Sequence, residues 1–280
     1  MELIYHIMDT LLPFSWTEYT FMKNALLAVL LMTPLFGLLS TMVVSSRMAF
    51  FSDSLGHGAF TGLAVGVLLG WLSPLLSLVA FSVVFALLIT YIKNRSSAST
   101  DTIIGVFSST GIALGLMLMS RGGGFSKFSP LLIGDILSIT PSDLAGLLAV
   151  DLLVVLVWSV LFNHLLLLSV NPSLAHSRGI SVVRIEAAFA ALLAVVVAVS
   201  IQWVGILIIN ALLVLPGAAA RNVARSVKEY HLIAILTALV AGIVGLFSAY
   251  YLGIAAGAAI VAAAALIFFL SLALRTRVQR

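Results

Sequence analysis

Charged residues punctuate this chain singly, between long apolar runs. Stretches without Asp, Glu, Lys or Arg extend from Asn24 to Ser46, Ser54 to Ile92, Thr102 to Ser120, Leu152 to Ser177, Ala187 to Ala220 and Tyr230 to Leu274. A helix needs about 20 residues, each rising about 1.5 Å, to cross a ~30 Å hydrocarbon core, so several of these runs are too long for one crossing. Breaks fall at Trp71-Leu72-Ser73-Pro74, Ser200-Ile201-Gln202-Trp203 and Tyr250-Tyr251-Leu252-Gly253, where aromatic residues suit a membrane–water interface. The pattern predicts nine spans, over 25–45, 54–71, 74–92, 102–120, 144–167, 185–202, 204–220, 231–249 and 253–272. The expected fold is all-α, a polytopic membrane bundle of eight or nine transmembrane helices forming one domain over residues 1–280, with 1–24 as an external N-terminal segment.

Composition strengthens this picture. At 62% hydrophobic and 9% charged, the chain has little left for a soluble domain. With the N-terminus outside, 11 of the 14 Lys and Arg residues fall in loops on one side, and only Lys23, Arg121 and Lys127 on the other. The positive-inside rule then puts the richer set and the C-terminus in the cytoplasm, as in a multi-pass protein of an inner or plasma membrane. The net charge of +4 is scattered, which argues against a nucleic-acid partner. Residues 1–20 carry Glu2, Asp9 and Glu18 but no Lys or Arg, so the basic start of a secretory signal is missing. Cysteine is absent, which excludes disulfides, thiolate ligands and iron–sulfur clusters; any metal chemistry must use His, Asp, Glu or amides.

The segment from Arg121 to Asp143 is too polar and too interrupted by Gly and Pro to span, yet holds the apolar piece Leu131–Ile139. It reads as an external loop with a re-entrant or short helical part, which survives at membrane depth only against protein or a cavity.

Asp53 and His57 lie four residues apart and so share one helix face. A carboxylate and an imidazole one turn apart suit zinc, manganese or ferrous iron, and equally suit a self-neutralising hydrogen-bonded pair. Within a membrane segment an ionisable pair costs enough that function is the default reading. Gly58, Gly62, Gly66 and Gly70 form a stripe beside the pair that allows close helix contact, so this helix is expected inside the bundle. Asp151 and Asn210, deeper in their spans, could line a pathway, with a helix–helix hydrogen bond favoured for Asn210. Asp135 could serve an external gate or merely a turn or cap. Asp101 and Glu186 sit at span starts, where a helix N-terminus favours an acid.

The segment 171–180 interrupts two spans. It reads as a turn and a short helix, started by Pro172, running through Ser173, Leu174 and Ala175, and stopped by Gly179. An ordinary loop and a docking helix for a soluble motor both fit. There is no G-x-x-x-x-G-K-[ST] phosphate loop, no H-E-x-x-H and no G-x-S-x-G, so nucleotide hydrolysis is expected on another chain and no enzymatic site is expected on this one.

The segments RMAFFSDSLGHGAFTGLAVG (47–66), DTIIGVFSSTGIALGL (101–116), LLIGDILSITPSDL (131–144), NPSLAHSRGI (171–180) and VGILIINALLVLPGAAAR (204–221) resemble the permease subunit of bacterial ABC importers for zinc, manganese or iron, most closely those of high-affinity zinc uptake. The resemblance implies a homodimer of permeases, each docked on a cytoplasmic ABC ATPase subunit and receiving metal from an extracytoplasmic solute-binding protein. It implies that Asp53 and His57 match the family's Asp-x-x-x-His in the translocation path, and that 171–180 matches the coupling helix. The metal is then transported substrate, with no permanently bound cofactor. Gly56 stands where the family often has Ala, and manganese-type members tend to read Ser-His-Ala across Gly56, His57 and Gly58, which tilts the expected cargo toward zinc over manganese or iron. A secondary metal transporter should carry several facing mid-span acids, and an intramembrane metalloenzyme three ligands plus a base; the chain offers neither set.

Overall fold

The computed structural model describes residues 1–11, 14–70, 73–121 and 134–278. Ten helices occur among the described residues: α1 (Glu2–Leu11), α2 (Thr20–Ser45), α3 (Ala49–Leu69), α4 (Pro74–Lys93), α5 (Thr100–Arg121), α6 (Pro141–Val170), α7 (Pro172–Ser177), α8 (Val182–Val223), α9 (Val227–Leu252) and α10 (Ala256–Val278). Single 3-10 turns cover Ser15–Glu18 and Ile136–Ser138. Seven of the described helical segments are long and apolar enough to cross a membrane, and the second half of α8, Ile208–Val223, is a shorter apolar helix.

Most helices overrun the expected spans because local capping, and not the end of the apolar run, stops them. Ser73 caps α4 by accepting from Leu76 N, with Pro74 in the first turn. Ser226 caps α9 by accepting from Glu229 N, and Gly253 closes it in the left-handed conformation. Helix α3 begins five residues before the expected 54, so Asp53 lies within its second turn. The expected gap between 202 and 204 is corrected: the chain stays helical there and departs from helix only at Gly205, φ 79° and ψ 161°. A side chain would be strained at that φ, whereas glycine adopts it freely. Within the segment expected to be external, 1–24, the chain forms α1, and α2 already includes Lys23 and Asn24.

The chain forms two compact units. One comprises Met1–Val44, Asp135–Leu153 and Trp203–Arg280. Its helices meet at small residues: a Cβ on Gly37 of α2 would lie 2.7 Å from Ile235 Cα of α9, and one on Gly217 of α8 would lie 2.5 Å from the Ser40 carbonyl of α2. Gly245 of α9 abuts the Ile260 backbone of α10 in the same way. Without a hydrophobic force between helices in lipid, such close backbone approach is what holds them.

The other unit comprises Ser45–Gly134 and Val154–Gln202. There α3 packs on both α4 and α5. A Cβ on Gly58 or Gly62 would lie 2.7 Å from Phe85 or Phe81 of α4. On the α5 side the Thr61 hydroxyl donates to the Gly111 carbonyl, and Gly115 meets the Phe60 ring. Trp158 of α6 lies against Phe189 of α8, ring centroids 6.4 Å apart.

Candidate functional site

Helix α3 is enclosed by its own packing. From Phe51 through Ala64 every residue is buried except two, Asp53 and His57. The two are one helical turn apart, with side chains 46% and 33% exposed, and His57 Nε2 stands 3.5 Å from Asp53 Oδ2. The glycine stripe accounts for this: the α4-facing side of α3 carries no Cβ atoms at Gly58, Gly62 and Gly66, so neighbours close over it and only the side bearing the pair stays open.

The spacing itself has chemical meaning. A 3.5 Å N···O distance is longer than a good hydrogen bond. Two donors at ~2.0–2.2 Å from one tetrahedral zinc are separated by about 3.4 Å, a spacing the pair matches as it stands. Among the described residues, no three His, Asp or Glu side chains gather into a metal site. One chain thus brings a carboxylate and an imidazole together on this face, and no third such group among those described.

The remaining candidates fall elsewhere. Asp151 is half-buried on α6, on the line of the buried Leu147 and Val154, and its shielded Oδ1 finds no hydrogen-bond partner among the described residues. Asn210 is half-buried in the second half of α8. Both belong to the first unit, whereas Asp53 and His57 belong to the second. Of the two readings of Asp135, the geometry carries the cap: its Oδ1 accepts from Leu137 N at 3.0 Å and starts the 3-10 turn Ile136–Ser138. Residues 131–133 of the expected re-entrant piece lie outside the described residues. Asp101 lies in the first turn of α5. Glu186, expected as a helix-start acid, binds across instead, with Lys93 Nζ at 3.0 Å and Asn94 Nδ2 donating at 3.1 Å from the end of α4.

The 171–180 segment folds as a short helix, α7. Asn171 Oδ1 accepts from Leu174 N at 3.0 Å, Pro172 opens the first turn, and Gly179 turns away at φ 74°. Ala175 is fully buried beneath it, while Leu174 and the preceding Val170 are exposed. Pro172 also borders a cleft of about 380 Å³ with Ser45, Arg47, Ser169, Val182 and Glu186.

Sequence reasoning passed over four polar ties. Trp203 Nε1 donates to Asp143 Oδ1 at 3.0 Å, fixing the start of α6 to α8 in the first unit. Asn24 accepts from the Tyr5 hydroxyl and donates to the Ile139 carbonyl, and Lys23 pairs with Asp9. The apolar spacing 3, 4, 7, 8 and 11 in ELIYHIMDTL was the available signal for α1.

Comparison with known proteins agrees over nearly the whole chain. The manganese import system permease protein ScaB of Streptococcus gordonii is 32% identical over 254 residues, 91% of each chain. The high-affinity zinc uptake system membrane protein ZnuB of Haemophilus influenzae is 30% identical over 255 residues, 90% of this chain and 97% of that one. Among solved structures, PsaBC from Streptococcus pneumoniae in complex with Fab superposes with a TM-score of 0.79 at 28% identity, covering 97% of this chain and 95% of its counterpart. Residues 18–275 match the family model described as ABC 3 transport family, and with that match and these relatives the chain belongs to that family.

Proposed function

We propose that this chain, acting as one permease domain over residues 1–280, is the membrane subunit of an ATP-driven importer that moves a divalent transition metal into the cytoplasm. The carrying observation is the Asp53–His57 pair, alone in being left open on an otherwise buried stretch of α3 and spaced for a shared cation. Relatives named for manganese and for zinc match at nearly equal identity, which supports the metal class. Two carboxylates and two imidazoles from a twofold pair of chains would complete a tetrahedron for zinc and offset its charge; manganese would take the same groups with added oxygen ligands or water. Separation of the subunits would break the set and release the ion. The N-terminus lies outside and the C-terminus in the cytoplasm, where α7 offers its exposed Leu174 and the cleft beside Pro172 to an ATPase subunit. An external binding protein delivers the metal.

The test is metal-dependent ATP turnover and uptake in vesicles holding the complete complex, with zinc, manganese and ferrous iron compared. A mixed dimer with one His57→Ala subunit is expected to lose occupancy; occupancy equal to that of the unaltered dimer would show independent binding by each subunit and end the shared-site reading. Cysteines introduced singly into this cysteine-free chain should crosslink to the ATPase from 171–180. Adducts confined to 93–100 or 221–229 would move the docking site.

A further inference from the structure

Helix α1 divides into three sectors. At about 100° per residue, Tyr5, Met8 and Asp9 share one third of its surface, Glu2, His6 and Thr10 a second, and Leu3, Ile4 and Ile7 the last. The first third faces protein. Met8 is buried, the Tyr5 hydroxyl donates to Asn24 Oδ1 at 2.5 Å, and Asp9 pairs with Lys23 Nζ at 2.6 Å, which also lies 5.6 Å from the Tyr5 ring centroid. The second third is polar and exposed. The last is apolar and exposed, with Leu3 at 72%. A helix bounded by protein on one side and water on another does not keep three large aliphatic side chains turned outward unless a third medium meets them.

The level at which α1 is held identifies that medium. Its partners Lys23 and Asn24 belong to the first two turns of the membrane-spanning α2. The chain leaving α1 inserts Trp16, 1% exposed, against Phe247 with centroids 5.1 Å apart, and Tyr19 meets Tyr250 at 6.3 Å. Phe247 and Tyr250 occupy the closing turns of α9, another span, beside the exposed Tyr251. Aromatic residues gathered at the ends of spanning helices mark the boundary between hydrocarbon and headgroups. Between α1 and the start of α2, Phe14, Tyr19 and Phe21 are also exposed, alongside the charged Glu18.

We propose that α1 is an interfacial anchor, lying in the bilayer surface with Leu3, Ile4 and Ile7 seated at the headgroup–acyl boundary. Glu2, His6 and Thr10 supply no cationic side chain of the Lys or Arg type, so the anchor is held by apolar burial and does not select anionic lipid. The inference goes beyond the transport reading and does not depend on which metal, if any, is carried.

Single cysteines at Leu3, Ile7 and His6 in the full-length chain, each labelled with an environment-sensitive fluorophore, test it in phosphatidylcholine vesicles. Labels at Leu3 and Ile7 should be quenched several-fold more by a nitroxide placed near the headgroup than by one at the acyl terminus, and should resist aqueous iodide. The label at His6 should be open to iodide. Adding phosphatidylglycerol should leave the pattern unchanged. Equal iodide access at all three positions would place the apolar face in water, and protection from both quenchers would mean that a second copy or another protein covers it; either result overturns the proposal. So would stronger quenching from the acyl terminus, or an anchor that requires phosphatidylglycerol.

Discussion

Helices α3 and α10 are both almost wholly apolar, yet they use side-chain size in different ways. In α10 most large residues point outward: Leu266, Phe269 and Leu270 are exposed, whereas Ala259, Ala264 and Ser271 are buried, with Ile260 the large residue turned in. In α3 the buried set includes Phe51, Leu55, Phe60 and Leu63 as well as the small residues, and between Phe51 and Ala64 the open positions are the ionisable Asp53 and His57. Helix α10 meets α9 and α8 mainly through small residues, with Ile260 the large exception, and turns most of its bulk outward. Helix α3 is closed on both flanks by α4 and α5, and the middle of its remaining side carries the ionisable pair. Lipid tails are as apolar as leucine, so hydrophobicity alone does not say which way a side chain turns in a membrane; close fit and polarity do.

The sharpest way to break this contrast is at the open side of α3. Asp53→Ala is expected to lower uptake to that of protein-free vesicles while the chain still inserts, because in the proposed function the carboxylate serves the ion and not the packing. Uptake retained in that variant would make the pair a bystander. Next in size is Gly245→Leu, where the new side chain meets the backbone of Ile260, which cannot swing aside. A loss of about 3 kcal/mol or more is expected, read as thermal unfolding in detergent.

Size reversal within α10 comes next. Ala264→Leu, at a fully buried position, should cost about 1–3 kcal/mol, while Leu270→Ala, at an exposed one, should stay within ~0.5 kcal/mol. Equal costs would mean that the outward face of α10 is covered. The smallest loss expected of a contact is at Ser271, whose hydroxyl accepts from Asn222 Nδ2 at 3.0 Å. Ser271→Ala should cost about 0.6 kcal/mol, near the average for such bonds between membrane helices, and a double-mutant cycle with Asn222→Ala should return the same figure.

The linear order of residues was enough for the existence and approximate extent of the spans, because charge-free runs of membrane length have few other uses. It also located several ends through local chemistry: Ser73-Pro74, Asn171-Pro172 and Gly253 each cap or stop a helix with atoms only a few residues away. The four-residue spacing of Asp53 and His57 put them on one face, and the glycine stripe marked their helix for the interior. Tertiary structure decided what depends on distant partners. Nothing in an all-round apolar helix such as α10 ranks one face above another until α9 is in place. Glu186 looked like a local acid until Lys93 and Asn94 arrived beside it. The docking of α1 rests on Lys23, Asn24 and Phe247, residues brought to it only by folding, and the bend in α8 rests on one backbone angle at Gly205. Short-range capping and periodicity are written in neighbouring residues; which surfaces meet is set by shape, and shape exists only once the helices have packed.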